Sequence, residues 1–173
     1  GLYASWDLGA IRLRGGVAYA WQTIDTTRRM AFGPFSGTAL ASYDANTAQA
    51  YIDGGYTFRI GQNTIEPYLN VSQVHVRTDA FTEHGTPAAL AIEKSSSNLT
   101  SSIAGVRGTL DLGPGGLHAY AGGGYQHAWG DTVPERRQRF VAGADNFNIY
   151  GVPVANNAGV VDLGLRFPLG RVV

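Results

Sequence analysis

The 173-residue chain holds 24 glycines, 11% aromatic and 15% charged residues, no cysteine, and a formal net charge of zero. Balanced charge removes any electrostatic case for nucleic acid or acidic ligands. A mean hydropathy of -0.09, with no apolar run of about 18 residues, excludes a bundle of membrane helices, although barrel strands escape that test because their two faces average out.

The chain opens with Gly1-Leu2-Tyr3-Ala4-Ser5-Trp6, already strand-like and unlike a signal peptide. The first predicted strand is Leu2 to Leu8, closed by Gly9, with Leu2, Ala4, Trp6 and Leu8 opposite Tyr3, Ser5 and Asp7. The second runs from Ile11 to about Thr26. Its odd positions are Ile11, Leu13, Gly15, Val17, Tyr19 and Trp21; its even positions include Arg12, Arg14 and Gln22. Successive strand residues point to opposite faces, so this ribbon has a greasy side ending in rings and a side carrying arginine. A longer link containing Gly33-Pro34-Phe35-Ser36-Gly37 precedes the third strand, roughly Ala39 to Ile60, and Gly61-Gln62-Asn63 reads as a tight turn. The fourth strand covers Thr64 to about Val76, and a long polar segment follows to Ser97. The fifth spans Asn98 to Leu112, closed by Gly113-Pro114-Gly115-Gly116, and the sixth Leu117 to Trp129. Another long link, with the charged run Glu135-Arg136-Arg137-Gln138-Arg139, leads to the seventh at about Ala155 to Phe167. The sequence stops at Arg171-Val172-Val173 after what reads as a turn, so residues 1–173 are expected to be one partial domain of a longer polypeptide.

About seven strands joined by alternately short and long connections predict an all-β, antiparallel up-and-down meander, the pattern of an outer-membrane barrel with tight periplasmic turns and longer outside loops. Trp6, Tyr56, Phe58 and Phe167 fall beside short turns, while Tyr19 and Trp21 lie higher. At about 3.3 Å per residue and a tilt near 40°, the climb between those levels is roughly 20–25 Å, close to an outer-membrane apolar band. These rings are therefore expected to form two lipid-facing girdles. A soluble sandwich would bury such rings too, but its strands average only about 5–6 residues.

The opposite parity is expected to line a wet lumen with Arg12, Arg14, Gln49, Tyr51, Asp53, Arg59, Glu66, Tyr68, Arg107, Asp162 and Arg166. An arginine facing lipid near mid-depth would cost about 2–4 kcal/mol. Facing water it costs little and can pair with carboxylates across neighbouring strands. Asp53 and Glu66, on adjacent strands across a short turn, are placed to approach each other. His75, His84, His118 and His127 lack a metal-ligand spacing, so no metal or cofactor is expected. Gly122-Gly123-Gly124 precedes no helix that would make a phosphate cradle, and the three are read instead as points of curvature or seats for a neighbour's ring. No serine sits in a nucleophile elbow, so no enzyme activity is expected.

The run Gln49-Ala50-Tyr51-Ile52-Asp53-Gly54-Gly55-Tyr56-Thr57-Phe58, followed by a turn and Ile65-Glu66-Pro67-Tyr68, resembles the β-barrel translocator domain of autotransporters, the type V secretion proteins. Phe81-Thr82-Glu83-His84-Gly85 with Ala89-Leu90, then Gly105-Val106-Arg107-Gly108, continue the likeness. Tyr125-Gln126-His127 with Gly130-Asp131, then Phe147 and Gly151-Val152-Pro153, complete it in the family's order. The resemblance implies a barrel of about 12 strands in the bacterial outer membrane, of which this chain holds a part. It also implies three partners: outer-membrane lipid, an N-terminal passenger domain carried to the cell surface, and the barrel-assembly machinery. Family members also have a helix threading the pore and a C-terminal strand ending in an aromatic, neither of which is read here. Some cleave the passenger at an asparagine pair in that helix; Asn156-Asn157 opens a strand instead, and the chemistry is not carried over. Alternation alone also fits a porin-like channel without a passenger, and a barrel hydrolase with a catalytic rim is a third reading. Sequence upstream of Gly1 would separate the first two.

Overall fold

A computed structural model describes residues 1–113, 116–143 and 145–167 of the chain. The strands in order are β1 (Leu2–Leu8), β2 (Ile11–Phe32), β3 (Phe35–Tyr56), β4 (Phe58–Ile60), β5 (Asn63–Thr78), β6 (Phe81–Thr82), β7 (Leu90–Ile92), β8 (Ser95–Asp111), β9 (His118–Gly130), β10 (Glu135–Phe140), β11 (Phe147–Tyr150) and β12 (Asn157–Arg166). Among the described residues there is no helix. β1, β2, β3, β5, β8, β9 and β12 lie side by side in that order, each antiparallel to the next, with β4 pairing along the lower end of β5. This is the expected meander, ending at β1 and β12 without closing on itself.

Pairing carries each side chain's face across the whole sheet. One row reads Leu13, Gly54, Leu69, Ala104, Tyr125, Gly159; its neighbour reads Arg14, Asp53, Asn70, Ile103, Gln126, Ala158. A slip of one residue anywhere would exchange the faces, so apolar patterning fixes the register. The two faces differ sharply in coverage. Trp21, Val161 and Leu163 are 78%, 75% and 76% exposed, whereas Asp53 and Glu66 are 6% and 4% exposed. Among the described residues the buried apolar side chains are Ile92 and a handful of alanines. A water-soluble domain places its large hydrophobes the other way round.

Three departures from the sequence reading have physical causes. The expected long link after the second strand is a tight turn at Gly33-Pro34: Phe32 pairs with Phe35, their rings stack at 4.8 Å, and Gly33 takes φ +56, a conformation that favours glycine. β2 and β3 therefore continue as one long hairpin, well past Thr26. The third strand, expected unbroken to Ile60, is interrupted at Thr57: Pro67 falls opposite Tyr56 and has no N–H for the ladder, and β4 resumes against β5 on the same register. Finally, the long links hold short strands that form a second sheet in the order β11-β10-β7-β6, and the charged run Glu135 to Arg139 is one of them. That sheet leans on the upper hairpin: Phe81 stacks flat on Tyr43 at 3.9 Å, and Leu40 exchanges backbone hydrogen bonds with His84. Pro114 and Gly115 of the predicted glycine turn, and the final turn before Arg171, lie outside the described residues.

Candidate functional site

All the residues expected on the charged parity do share one face of the large sheet, and the centre of that face is an ion cluster. Register builds it: Arg14 stands opposite Asp53, Glu66 opposite Arg107, and Asp7 opposite Arg12. The Arg107 guanidinium donates to Asp53 Oδ1 at 2.7 Å and Oδ2 at 3.3 Å, and to Glu66 Oε1 through Nε at 2.8 Å. Arg12 reaches Glu66 Oε2 at 3.1 Å and Asp7 Oδ1 at 3.0 Å, and Arg14 lies 3.8 Å from Asp53. The Thr57 hydroxyl donates to Glu66 at 2.7 Å, and Arg107 rests on the Tyr68 ring, 4.4 Å from its centroid.

Asp53 and Glu66 thus meet through a shared arginine. Each carboxylate is occupied by guanidinium donors, which leaves its oxygens poorly placed to take a proton from a substrate. What the cluster does is brace five strands, β1, β2, β3, β5 and β8. Three arginines against Asp7, Asp53 and Glu66 balance to no net charge, so the bracing adds no single-sign field.

The other expected members share the face without joining the cluster. Tyr51 lies across Gly16, where an added Cβ would come within 2.7 Å of the ring. Gln49 stands exposed between Ala18 and Val74. Arg59, Asp162 and Arg166 are exposed opposite Thr64, Gly122 and His118 and make no ion pair among the described residues. Ring-on-glycine packing recurs at Tyr68 over Gly105 and Tyr120 over Gly164. The triple glycine does not provide the expected seat for such rings: Gly122 faces the Arg107 and Asp162 side-chain stems, Gly123 sees only a carbonyl, and Gly124 lies against Ile103. The bulky rings sit on other strands, so the seats follow those rings.

The opposite face carries Trp6, Tyr19, Trp21, Tyr56 and Phe58 in exposed positions, and Phe167 just past β12 is exposed too. Tyr19 packs beside Trp21 at 4.5 Å and Tyr56 beside Phe58 at 4.8 Å, giving one aromatic pair at each level of the wall.

The family model described as Autotransporter beta-domain matches residues 1–173. Two proteins named extracellular serine protease, both from Serratia marcescens, are 30% and 29% identical to this chain over 99% and 100% of its length. The chain belongs to the autotransporter β-domain family. Autotransporter β-domains are outer-membrane barrels of Gram-negative bacteria that serve as translocators for a passenger domain. The chain spans only 17% of the length of each relative.

Sequence reasoning missed two parts of this autotransporter wall. Asp7 was legible as a partner for Arg12 across the Gly9-Ala10 turn, whereas nothing in the sequence pointed to Thr57 as a donor. The second miss is a pair above the aromatic level. Arg28 grips Glu83 through two nitrogens and donates to the Ala88 carbonyl at 3.0 Å, while Glu83 also accepts from the Leu90 amide at 2.9 Å. The Arg28 hydrogen bond holds the Glu83 carboxyl below the ordinary carboxylate range despite its burial. This clip fastens the smaller sheet of the β-domain to the β2–β3 hairpin.

Proposed function

We propose that this chain forms one side of the translocator wall through which a passenger domain of the same polypeptide reaches the cell surface. The face bearing Arg12, Arg14, Gln49, Tyr51, Asp53, Arg59, Glu66, Tyr68, Arg107, Asp162 and Arg166 lines the water-filled bore. The face bearing Trp6, Tyr19, Trp21, Tyr56, Phe58 and Phe167 meets lipid, with an aromatic girdle at each boundary of the hydrocarbon. Residues 1–173 are part of a larger barrel, inserted with the help of the barrel-assembly machinery. Catalysis, which the relatives' name implies for them, belongs to the passenger and not to this wall.

The observation that supports this most directly is the inverted burial. Buried carboxylates are neutralised by arginines on one face, while valines, leucines and tryptophans stand open on the other. Only a hydrocarbon solvent makes that open face favourable. The test uses the full-length protein in intact cells with single cysteines at Asp162 and Leu163, neighbours in sequence on opposite faces. A water-soluble thiol reagent is expected to modify Asp162→Cys and spare Leu163→Cys, and a passenger stalled in transit is expected to protect Asp162→Cys. Equal labelling at both positions, or no change on stalling, refutes the assignment; labelling without passenger protection favours a porin-like channel.

A further inference from the structure

Toward its upper end the open face stops being apolar, and what replaces the hydrocarbon-compatible residues is an organised hydrogen-bonding group. On β9 the open-face positions run Ala121, Gly123, Tyr125, then His127 and Trp129, with Asn157 opposite His127 on β12. Asn157 Oδ1 accepts from the Tyr125 hydroxyl at 2.5 Å and from His127 Nδ1 at 2.8 Å. Asn157 thus joins the phenol and the imidazole through one amide, and Nε2 of His127 takes no part in that bond. The imidazole stacks on the Trp129 ring at 5.5 Å, and Ser102 stands opposite it on β8. Tyr125 and Trp129 are 57% and 42% exposed, so these rings are open to whatever surrounds the wall.

Acyl chains offer such groups no partner, which places the group at the height where headgroups begin, directly above Gly123, Val161 and Leu163. The chemistry of the group discriminates between headgroups. A phosphate site needs cations or converging backbone N–H groups. None of the group's residues is an arginine or lysine, and Asp131, two residues past Trp129, is acidic and accepts from the Asn98 amide at 2.8 Å. An aromatic plane flanked by an amide, an imidazole nitrogen and hydroxyls instead suits a neutral sugar ring, whose C–H face packs on the indole while its hydroxyls donate and accept.

We propose that Tyr125, His127, Trp129 and Asn157 form a saccharide subsite on the membrane-facing wall, which holds the sugar headgroup of an outer-leaflet glycolipid. The inference rests on the reading of the open face as lipid-facing. The site orients one glycolipid against β9 and β12 and recognises sugar hydroxyls in preference to phosphate.

The test purifies the full-length protein from mixed micelles and counts retained lipids by native mass spectrometry. The probes are a diacylated glucosamine-disaccharide lipid, with and without its phosphates, and phosphatidylethanolamine. Both glycolipid forms are expected to be retained over the phospholipid by about five- to tenfold, the worth of one or two net hydrogen bonds. His127→Leu with Asn157→Leu is expected to abolish that preference and leave phospholipid retention unchanged, while His127→Gln keeps it. Loss of retention on removing the phosphates, or wild-type protein without a preference, overturns the saccharide site and leaves the wall reading intact. Should no lipid be retained and a water-soluble reagent reach Leu163→Cys, the wall reading itself fails. The wild-type comparison among the three probes decides the matter by itself, so a variant that does not fold leaves the proposal falsifiable.

Discussion

Replacing Arg107 by methionine removes the residue that joins β3, β5 and β8 at the centre of the charged face, while keeping much of the side chain's length and its contact with Tyr68. Two carboxylates, each under a tenth exposed, then depend on Arg12 at 3.1 Å and Arg14 at 3.8 Å, and the cluster passes from balance to one excess negative charge. Breaking a buried pair by deleting one partner costs 3–5 kcal/mol, and the remaining arginines place this case at about 3 kcal/mol, roughly a hundredfold in the folding equilibrium. The assay is urea unfolding of the full-length barrel in phospholipid vesicles, reading the midpoint at constant slope. Adding Glu66→Gln to the same protein removes the surplus charge and keeps an acceptor for the Thr57 hydroxyl. The double variant is therefore expected to be about 1–2 kcal/mol more stable than the sum of the single effects. A cost for Arg107→Met below about 0.5 kcal/mol, with strictly additive behaviour in the cycle, would refute the view that these charges brace the wall.

Leu163→Arg is expected to cost about 2–4 kcal/mol in the same vesicles, while Asp162→Arg, one residue away on the other face, stays within about 0.5 kcal/mol. Comparable costs at the two sites would deny the difference between the faces. Gly16→Ala drives a Cβ to 2.7 Å from the Tyr51 ring and is expected to destabilise by about 1–3 kcal/mol, although alanine elsewhere in a strand outperforms glycine. Trimming the ring with Tyr51→Leu in the same chain should recover most of that loss. For the clip above the aromatic level, the Glu83 carboxyl is held below its unfolded value, so its stabilisation is complete above about pH 4.3 and fades as pH falls through the folded value. Hydrogen exchange at the Leu90 amide should accelerate on acidification across that window, and Glu83→Gln should remove the pH dependence.

The parts of this structure that were legible are those written in every-other-residue polarity. Ile11 to Gln22 announces its two faces without help, and the facing of Arg14 to Asp53 follows once the hairpin register is fixed by its apolar partners. What stayed hidden depends on single contacts between distant segments. The gap between β3 and β4 comes from Pro67 standing opposite Tyr56, which shows only after the strands are aligned. Glu135 to Arg139 reads as a solvated run because nothing in its composition reveals Ile92 and the clip of Arg28 on Glu83 that hold its sheet in place. Gly33-Pro34 signals a turn in either reading; its tightness comes from the Phe32–Phe35 stack, a pairing visible only after the register is known. The seats for the rings failed for the same reason, since a glycine's role belongs to whichever large side chain crosses it from the next strand.

The overlong hairpin gives the barrel mouth an uneven rim. From Thr23 to Phe32, β2 rises about 25 Å beyond its aromatic level, whereas β9 ends at Gly130, directly after Trp129. At the hairpin the large sheet itself stands tall, buttressed by the smaller sheet, whereas above Gly130 the chain passes into that smaller sheet through β10. The upper edge of the large sheet is therefore stepped, with a continuous β-surface several residues taller at the hairpin than at β9.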